Sequence, residues 1–111
     1  MMIDINMVDK ALDYLRTSAS IAAKARAERL YLEEFKKSKR ALLMSNYLDQ
    51  PVNAQEREAL SDPEYLSFLE VLRGAIEADE NNKFKGEAAQ ALIEGWRTQC
   101  SNLRSEGKAY V

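Results

Sequence analysis

Both prolines of the chain lie in one connector, residues 49–64, and this placement limits what the remaining residues can form. Pro51 has no amide hydrogen and keeps the residue before it out of the α region, so a helix that reaches it must end there. Asp62 followed by Pro63 supplies an N-cap side chain and a first helical residue, which together start a new helix. The connector therefore predicts two long helices, one on each side of it.

The segment before the connector predicts helix one, over about residues 4–47, with Asp4 or Asn6 as its N-cap. Its first apolar residues are spaced three and four apart, as residues on one helical face are. They are Ile5, Val8, Leu12, Leu15, Ala19 and Ala22. Farther along, this register would present charged residues, and the apolar stripe drifts to another face. The drifting stripe consists of Ala23, Ala27, Leu30, Tyr31, Phe35 and Leu42.

The connector itself predicts a short helix over about residues 54–60, in which Asn53 is the N-cap and Glu56 completes a capping box. Four polar residues at this tip form a candidate contact for a partner protein. They are Gln55, Glu56, Arg57 and Glu58. A well-capped turn without any further role is the alternative.

The segment after the connector predicts helix two, over about residues 63–106, because a seven-residue pattern runs through it with little slippage. The pattern consists of Tyr65, Phe68, Leu72, Ala75, Asp79, Asn82, Gly86, Ala89, Ile93, Trp96, Cys100 and Leu103. Its polar middle, Asp79 and Asn82, predicts a buried polar layer that fixes the register of the helices, or else a section opened to solvent. Arg26, Arg29 or Lys83 is the expected counter-charge.

Glycine is costly inside a helix, and three glycines within helix two therefore predict the close approach of another backbone. They lie at positions 74, 86 and 95, and a kink near Gly86 is the alternative. Gly107 is expected to end the helix.

Two long helices with a short connector are expected to pack antiparallel, which predicts an all-α fold: a long helical hairpin, coiled-coil-like in its packing. Folding about the connector sets the basic residues 24–40 opposite the acidic residues 70–87, so part of the charge asymmetry is explained by pairing inside the hairpin. A single seam leaves too many large side chains uncovered, and a second copy is expected to complete a dimeric four-helix arrangement. The expected oligomer core is Phe68, Leu72, Ile93, Trp96 and Leu103.

The residue types present exclude most catalytic chemistry. The chain has no histidine and a single cysteine, Cys100, so histidine-dependent triads and the usual zinc motifs are excluded. Glu33 and Glu34 resemble part of a magnesium-binding set, but lysines and serine follow where a further acid is required. We therefore expect no enzyme activity, no metal and no cofactor.

One basic run on helix one is a candidate contact for nucleic acid or for a partner protein, because clustered cations bind phosphates. It consists of Lys36, Lys37, Lys39 and Arg40. A solvated helix face, paired with neighbouring acids, is the alternative. The formal net charge of −2 gives no general attraction to polyanions.

Residues 22–44, 51–80 and 88–104 resemble a family of small helical proteins encoded by tailed bacteriophages and prophages, and the segment PVNAQERE is the most distinctive part. The resemblance implies a phage accessory protein with a role near DNA replication or recombination, and it brings no catalytic residues. Family members are more apolar after the polar middle, where this chain has Asn81, Asn82, Lys83 and Gly86. This difference leaves the continuity of helix two through residues 79–86 open.

These observations lead to one main hypothesis, a non-enzymatic protein that binds a phage or host protein through an oligomeric helical surface. The alternatives are a nucleic-acid-binding factor that uses the basic run and an acidic inhibitor of a host DNA-processing enzyme. Since the sequence contains neither a signal peptide nor an apolar run of about 20 residues, we expect a protein of the bacterial cytoplasm without a membrane partner.

Overall fold

The computed structural model describes residues 2–109, and these residues are almost entirely helical. The elements in chain order are α1 (Ile5–Met44), a short 3₁₀ turn (Ser45–Tyr47), α2 (Val52–Ser61) and α3 (Pro63–Ala109). The described residues contain no strand. The predicted all-α class is thereby confirmed.

The start of α1 is capped by the first of the two candidate residues. The backbone N–H of Met7 donates to Asp4 Oδ1 at 3.0 Å, which satisfies one of the amide groups that a helix leaves unpaired at its start. At the other end, α1 stops at Met44, and the last predicted residues form the tighter 3₁₀ turn instead. This tightening is common in the last turn of a helix because it pairs carbonyls that the α-helix leaves free.

The prediction that Asn53 caps α2 is wrong. The helix begins at Val52, so Asn53 lies inside it, and no side chain of the described residues caps its start. Pro51 takes the N-cap position instead, with a φ of −59° and an extended ψ of 154°. Its carbonyl accepts the first helical hydrogen bond, from the Gln55 N–H at 3.0 Å. Proline, which needs no amide partner, therefore both ends the preceding turn and opens α2.

The start of α3 follows the sequence prediction. Asp62 Oδ1 accepts a hydrogen bond from the Glu64 N–H at 2.8 Å, with Pro63 as the first helical residue. The helix then continues unbroken to Ala109, which settles its continuity through residues 79–86. The prediction that Gly107 ends the helix is wrong, because none of the described residues takes the positive φ that a glycine cap requires.

Among the described residues, the predicted close approach of another backbone is found at none of the three glycines of α3. A Cβ added at Gly95 would lie 3.0 Å from Ile3 Cδ1, so the neighbour is a side chain rather than a backbone. At Gly74 and Gly86, no other group of the described residues comes within 4 Å of the added Cβ. Within this chain, these two glycines are therefore not required by packing.

The chain divides into two compact units, each built from a piece of α1 and a piece of α3. We call the residues up to Ala22, together with those from Asn81 onward, the terminal unit. Ala23–Glu80, which also contains α2, is the connector unit.

In the terminal unit the two helix pieces run antiparallel. Gln99 bonds both backbone groups of Ile3, accepting from its N–H at 3.0 Å and donating to its carbonyl at 2.7 Å. Farther along α1, Ala11 shares a groove with Ala89, so position numbers rise on one helix as they fall on the other. Val8, Ala11 and Ala89 are the buried residues of this unit.

In the connector unit three helices meet in one small core. Leu43 of α1, Ala59 of α2 and Tyr65 of α3 are buried together, and Met44 and Leu69 pack against them. The pieces of α1 and α3 are again antiparallel, since Lys39 pairs with Glu64 whereas Arg29 pairs with Glu80. The short α2 thus closes one end of the seam between the long helices.

The predicted drift of the apolar stripe on α1 is wrong. Residues expected in the core are exposed instead, Leu12 by 50% and Leu42 by 61%. The buried and half-buried positions include one stripe with a spacing of three and four: Val8, Ala11, Leu15, Ser18 and Ala22 in the terminal unit, and Ala25, Arg29, Leu32, Phe35, Lys39 and Leu43 in the connector unit. Polar residues are accommodated on this face because Arg29 and Lys39 pair with acids of α3.

On α3 the predicted pattern matches the observed burial at eleven of its twelve positions. Tyr65, Leu72 and Ala89 are buried, the others up to Cys100 are half-buried, and only Leu103 is exposed.

Candidate interaction surfaces

The predicted basic run does not form one continuous strip, because its four cations separate around α1. Lys39 is half-buried and pairs with Glu64 of α3, at 3.2 Å between Nζ and Oε2. The other three cations open onto a cleft of about 350 Å³ on α1 and the first turn of α3. We call it the basic cleft, and it is lined by Glu33, Lys36, Lys37, Arg40 and Tyr65.

The cations of the basic cleft differ in how far they are neutralised. Arg40 pairs with Glu56 of α2 at 3.3 Å, and Lys37 lies 4.0 Å from Glu34 on an exposed part of α1. For Lys36, no carboxylate of the described residues lies within ion-pair distance. Lys36 is therefore the cation with the least compensated charge in the cleft.

Tyr65 contributes the other wall of the basic cleft. Its ring belongs to the core of the connector unit, and the residue is only 5% exposed. Its hydroxyl makes no hydrogen bond with the described residues. Among those residues, every fully buried side-chain polar atom has a hydrogen-bond partner, so this hydroxyl is not fully buried. The hydroxyl must therefore reach solvent, and Tyr65 is one of the residues that line the cleft.

The polar middle of α3 is paired by Arg29, one of the three expected counter-charges. Its guanidinium binds Glu33 at 2.9 Å, Glu80 at 2.8 Å and Asp79 at 3.2 Å. The hydrogen bonds that Arg29 donates to Glu33, then Glu80, then Asp79 raise the pKa of Arg29 far above its ordinary value. These carboxylates are held by a guanidinium, and the described residues contain no acid, cysteine or histidine cluster fit to hold a metal.

The predicted contact at the connector tip is largely used within the chain. Gln55 Nε2 donates to the Gln50 carbonyl at 2.8 Å, and Glu56 pairs with Arg40. Glu58 is half-buried, and only Arg57 of the four is exposed. The polarity of this tip thus serves to fix α2 against its neighbours, which the sequence pattern did not reveal.

A row of three aromatic residues lies beside the seam of the connector unit. Tyr31 stacks on Phe35 with ring centroids 6.1 Å apart, and Phe35 meets Phe68 across the seam at 5.8 Å. Leu42 lies two turns beyond Phe35 on α1, and Val71 lies one turn beyond Phe68 on α3. We call these five residues the aromatic surface.

Three of the five residues of the aromatic surface are open to solvent although their types are those of a core, whereas Phe35 and Phe68 are half-buried. Tyr31 is 63% exposed, Leu42 61% and Val71 59%. Sequence periodicity had placed Tyr31, Phe35 and Leu42 in the core stripe of helix one and had not selected Val71. A spacing of three from Phe68 is the signal that would have found it.

The other residues of the predicted oligomer core are divided between burial and exposure. Leu72 is buried within its own chain, Ile93 and Trp96 are half-buried, and Leu103 is 49% exposed.

An apolar groove of about 440 Å³ also lies in the terminal unit, lined by Met7, Lys10, Ala11, Tyr14, Lys85, Ala88, Ala89 and Leu92.

The chain matches no protein-family model, and no curated protein or solved structure shows significant similarity to it. Among the residues that the structure describes, none of the helices combines the length and the apolarity that crossing a membrane requires.

Proposed function

We propose that this chain is a non-enzymatic accessory protein of a phage or prophage that acts through an oligomeric helical surface. The single observation that carries the proposal is the aromatic surface, which exposes large apolar side chains on a short stretch of two neighbouring helices. Contiguous apolar patches are uncommon on monomeric proteins and mark interaction sites. The resemblance of residues 22–44 and 51–80 to phage proteins supports the biological context.

The occupant that fits the aromatic surface best is a second copy of the same surface. Lys39 and Glu64 lie one turn from Phe35 and Phe68 and neutralise each other, so this edge offers little to a charged partner. An apolar partner surface is required, and the chain itself supplies one. In a two-fold dimer the same patch meets itself, and the two antiparallel helices of each copy combine into a four-helix arrangement.

The energy of this contact comes from side chains that are still largely solvated in the single chain. Fully burying a residue such as Leu or Val is worth about 1.5–3 kcal/mol, and somewhat more than half of that remains to be gained at Leu42 and Val71. A glutamate at position 71 would forfeit this gain and would place an unpaired charge in the contact. We therefore expect Val71→Glu to weaken self-association by more than about tenfold.

Sedimentation velocity between about 1 and 100 µM, a range that brackets moderate dissociation constants, tests the proposal. The wild-type chain is expected to shift from monomer to dimer as its concentration rises, whereas Val71→Glu stays monomeric over more of that range. Leu66→Glu is the matched control, because Leu66 is 51% exposed on another face of α3 and the change in charge is the same. A monomeric wild type, or equal effects of the two glutamates, would contradict the proposal.

A direct role in binding nucleic acid has weaker support. Two cations of the basic run, Lys39 and Arg40, are already paired with Glu64 and Glu56. A duplex or strand that used them would have to displace these acids. The remaining cations, Lys36 and Lys37, form too short a track for an extended polyanion.

A further inference from the structure

We infer that the basic cleft of the connector unit binds the phosphate group of a small phosphorylated ligand. The cleft is lined by Lys36, Lys37 and Arg40 on the α1 side and by Tyr65 on the α3 side. Its volume of about 350 Å³ is within the range of small-molecule sites, which begins near 300 Å³.

The arrangement of cations on α1 favours an anion between them. Lys36 and Arg40 are four residues apart and so lie on the same helical face, where two like charges repel each other. Lys37 adds a third cation to the same opening. A bound phosphate replaces this repulsion with charge-assisted hydrogen bonds from ammonium and guanidinium groups, which are among the stronger hydrogen bonds in proteins.

The one carboxylate that lines the cleft does not oppose this inference. Glu33 is already bound by the Nε of Arg29 at 2.9 Å, and Arg29 also binds Glu80. Its negative charge is therefore already compensated by Arg29. Glu56 offsets part of the charge of Arg40, which leaves the two lysines as the main source of positive potential.

Tyr65 gives the cleft a fixed donor opposite the flexible lysines. Its ring is held in the core with Leu43 and Ala59, so the position of the hydroxyl is set by packing rather than by a mobile chain. A phenol can donate one hydrogen bond to a phosphate oxygen. Preorganised donors lower the entropic cost of binding and raise selectivity for a ligand of fitting shape.

The shape of the site favours a small ligand over a nucleic acid. The acidic side chains of Glu34 and Glu56 lie beside Lys37 and Arg40, so a polyanion that extended beyond the cleft would meet negative charge. Lys39 faces another side of α1 and is occupied by Glu64. A single terminal phosphate is compact and does not have to extend past the cleft over these acids.

The inference is tested by titrating the ¹⁵N-labelled full chain with inorganic phosphate, with pyrophosphate and with a short single-stranded DNA. The salt is held near 150 mM so that diffuse charge attraction is screened. We expect saturable shifts from pyrophosphate at residues 33–40 and at Tyr65. Lys36→Gln is expected to weaken binding by about tenfold, while Lys36→Arg, which keeps the charge, stays within a few-fold of the wild type.

Lys39→Gln is the matched control, since it removes one positive charge from the same helix outside the cleft. It is expected to change the affinity by less than about twofold because the site contacts are intact. Tyr65→Phe removes only the hydroxyl and should weaken binding several-fold. If the loss of this hydroxyl also loosens the core, the comparison of Lys36→Gln with Lys36→Arg still decides the question.

Three results would overturn the inference. Shifts that grow linearly without saturation would show only an ionic-strength effect. Equal losses in Lys36→Gln and Lys39→Gln would show general charge attraction rather than a site. Saturation by DNA at the same residues, with no response to phosphate or pyrophosphate, would assign the cleft to nucleic acid.

Discussion

The glycines of α3 allow a quantitative test, because Gly74 and Gly95 share a helix but not an environment. Alanine in a helix interior is more stable than glycine by about 0.8–1 kcal/mol. At Gly74 an added Cβ meets no other group of the described residues within 4 Å, so Gly74→Ala should realise the whole gain. At Gly95 the Cβ would lie 3.0 Å from Ile3 Cδ1, which must shift by a few tenths of an ångström.

The contact at Gly95 should cancel most of the propensity gain. The backbone of Ile3 is held on both sides by Gln99, so only the end of its side chain can yield. Overpacking of this kind commonly costs about 1 kcal/mol or more. We therefore expect Gly95→Ala to change the free energy of unfolding by less than about 0.5 kcal/mol, about half the gain at Gly74 or less.

Thermal unfolding followed by circular dichroism measures the difference. For a chain of this length, about 1 kcal/mol corresponds to roughly 4 °C in Tm, and all variants must be compared at one concentration because self-association raises Tm. Ile3→Val removes Cδ1, so Gly95→Ala in that background should recover the full gain. The reasoning fails if Gly95→Ala stabilises as much as Gly74→Ala in the wild-type background, or if the Ile3→Val background makes no difference.

Two further predictions concern the cap of α3 and the pairing of its polar middle. Asp62→Ala should lower the free energy of unfolding by about 1 kcal/mol because the Glu64 N–H loses its acceptor. Asn53→Ala, at a position that caps no helix, should have a free energy of unfolding within about 0.5 kcal/mol of the wild type. Urea unfolding measures both changes, and equal losses would contradict the assigned caps. Arg29→Met should lower Tm because Asp79 and its neighbours lose their cation. Since the pKa of Arg29 is raised in the folded chain, the stabilisation that its ion pairs provide is fully present below the ordinary pKa of arginine. This stabilisation is lost only at still higher pH. The Tm difference should therefore be constant from about pH 6 to about pH 9, and a difference that vanished within this range would refute the assignment.

The sequence predicted the helices well because their boundaries depend on local chemistry. Proline lacks an amide hydrogen wherever it stands, and the Asp62 side chain reaches the Glu64 N–H across two residues. The start of α3 follows from these groups alone, whereas α1 already ends at Met44, before Pro51 is reached. The cap of α2 was predicted wrongly because the helix begins at Val52 and takes in Asn53.

The buried face of α3 was also predictable, whereas that of α1 was not. On α3 one apolar stripe runs along most of the helix, so periodicity identifies the seam, although Leu66, Val71 and Phe84 lie outside it and are exposed. On α1, apolar residues occur on more than one face, and a seam position is taken by Arg29 while Leu12 and Leu42 stay exposed. Periodicity alone cannot rank two such faces, because burial depends on the partner helix.

Sequence alone therefore determined that the chain is helical and where its helices are separated, since these properties depend on residue types and on neighbours within one turn. Tertiary structure decided which of three cations pairs with Asp79, which residues of the basic run open onto a cleft, and that Tyr65 supplies its opposite wall. These contacts join residues some 25 to 50 positions apart. Their partners are set by the register of α1 against α3, which depends on the packing of whole helices rather than on any local motif.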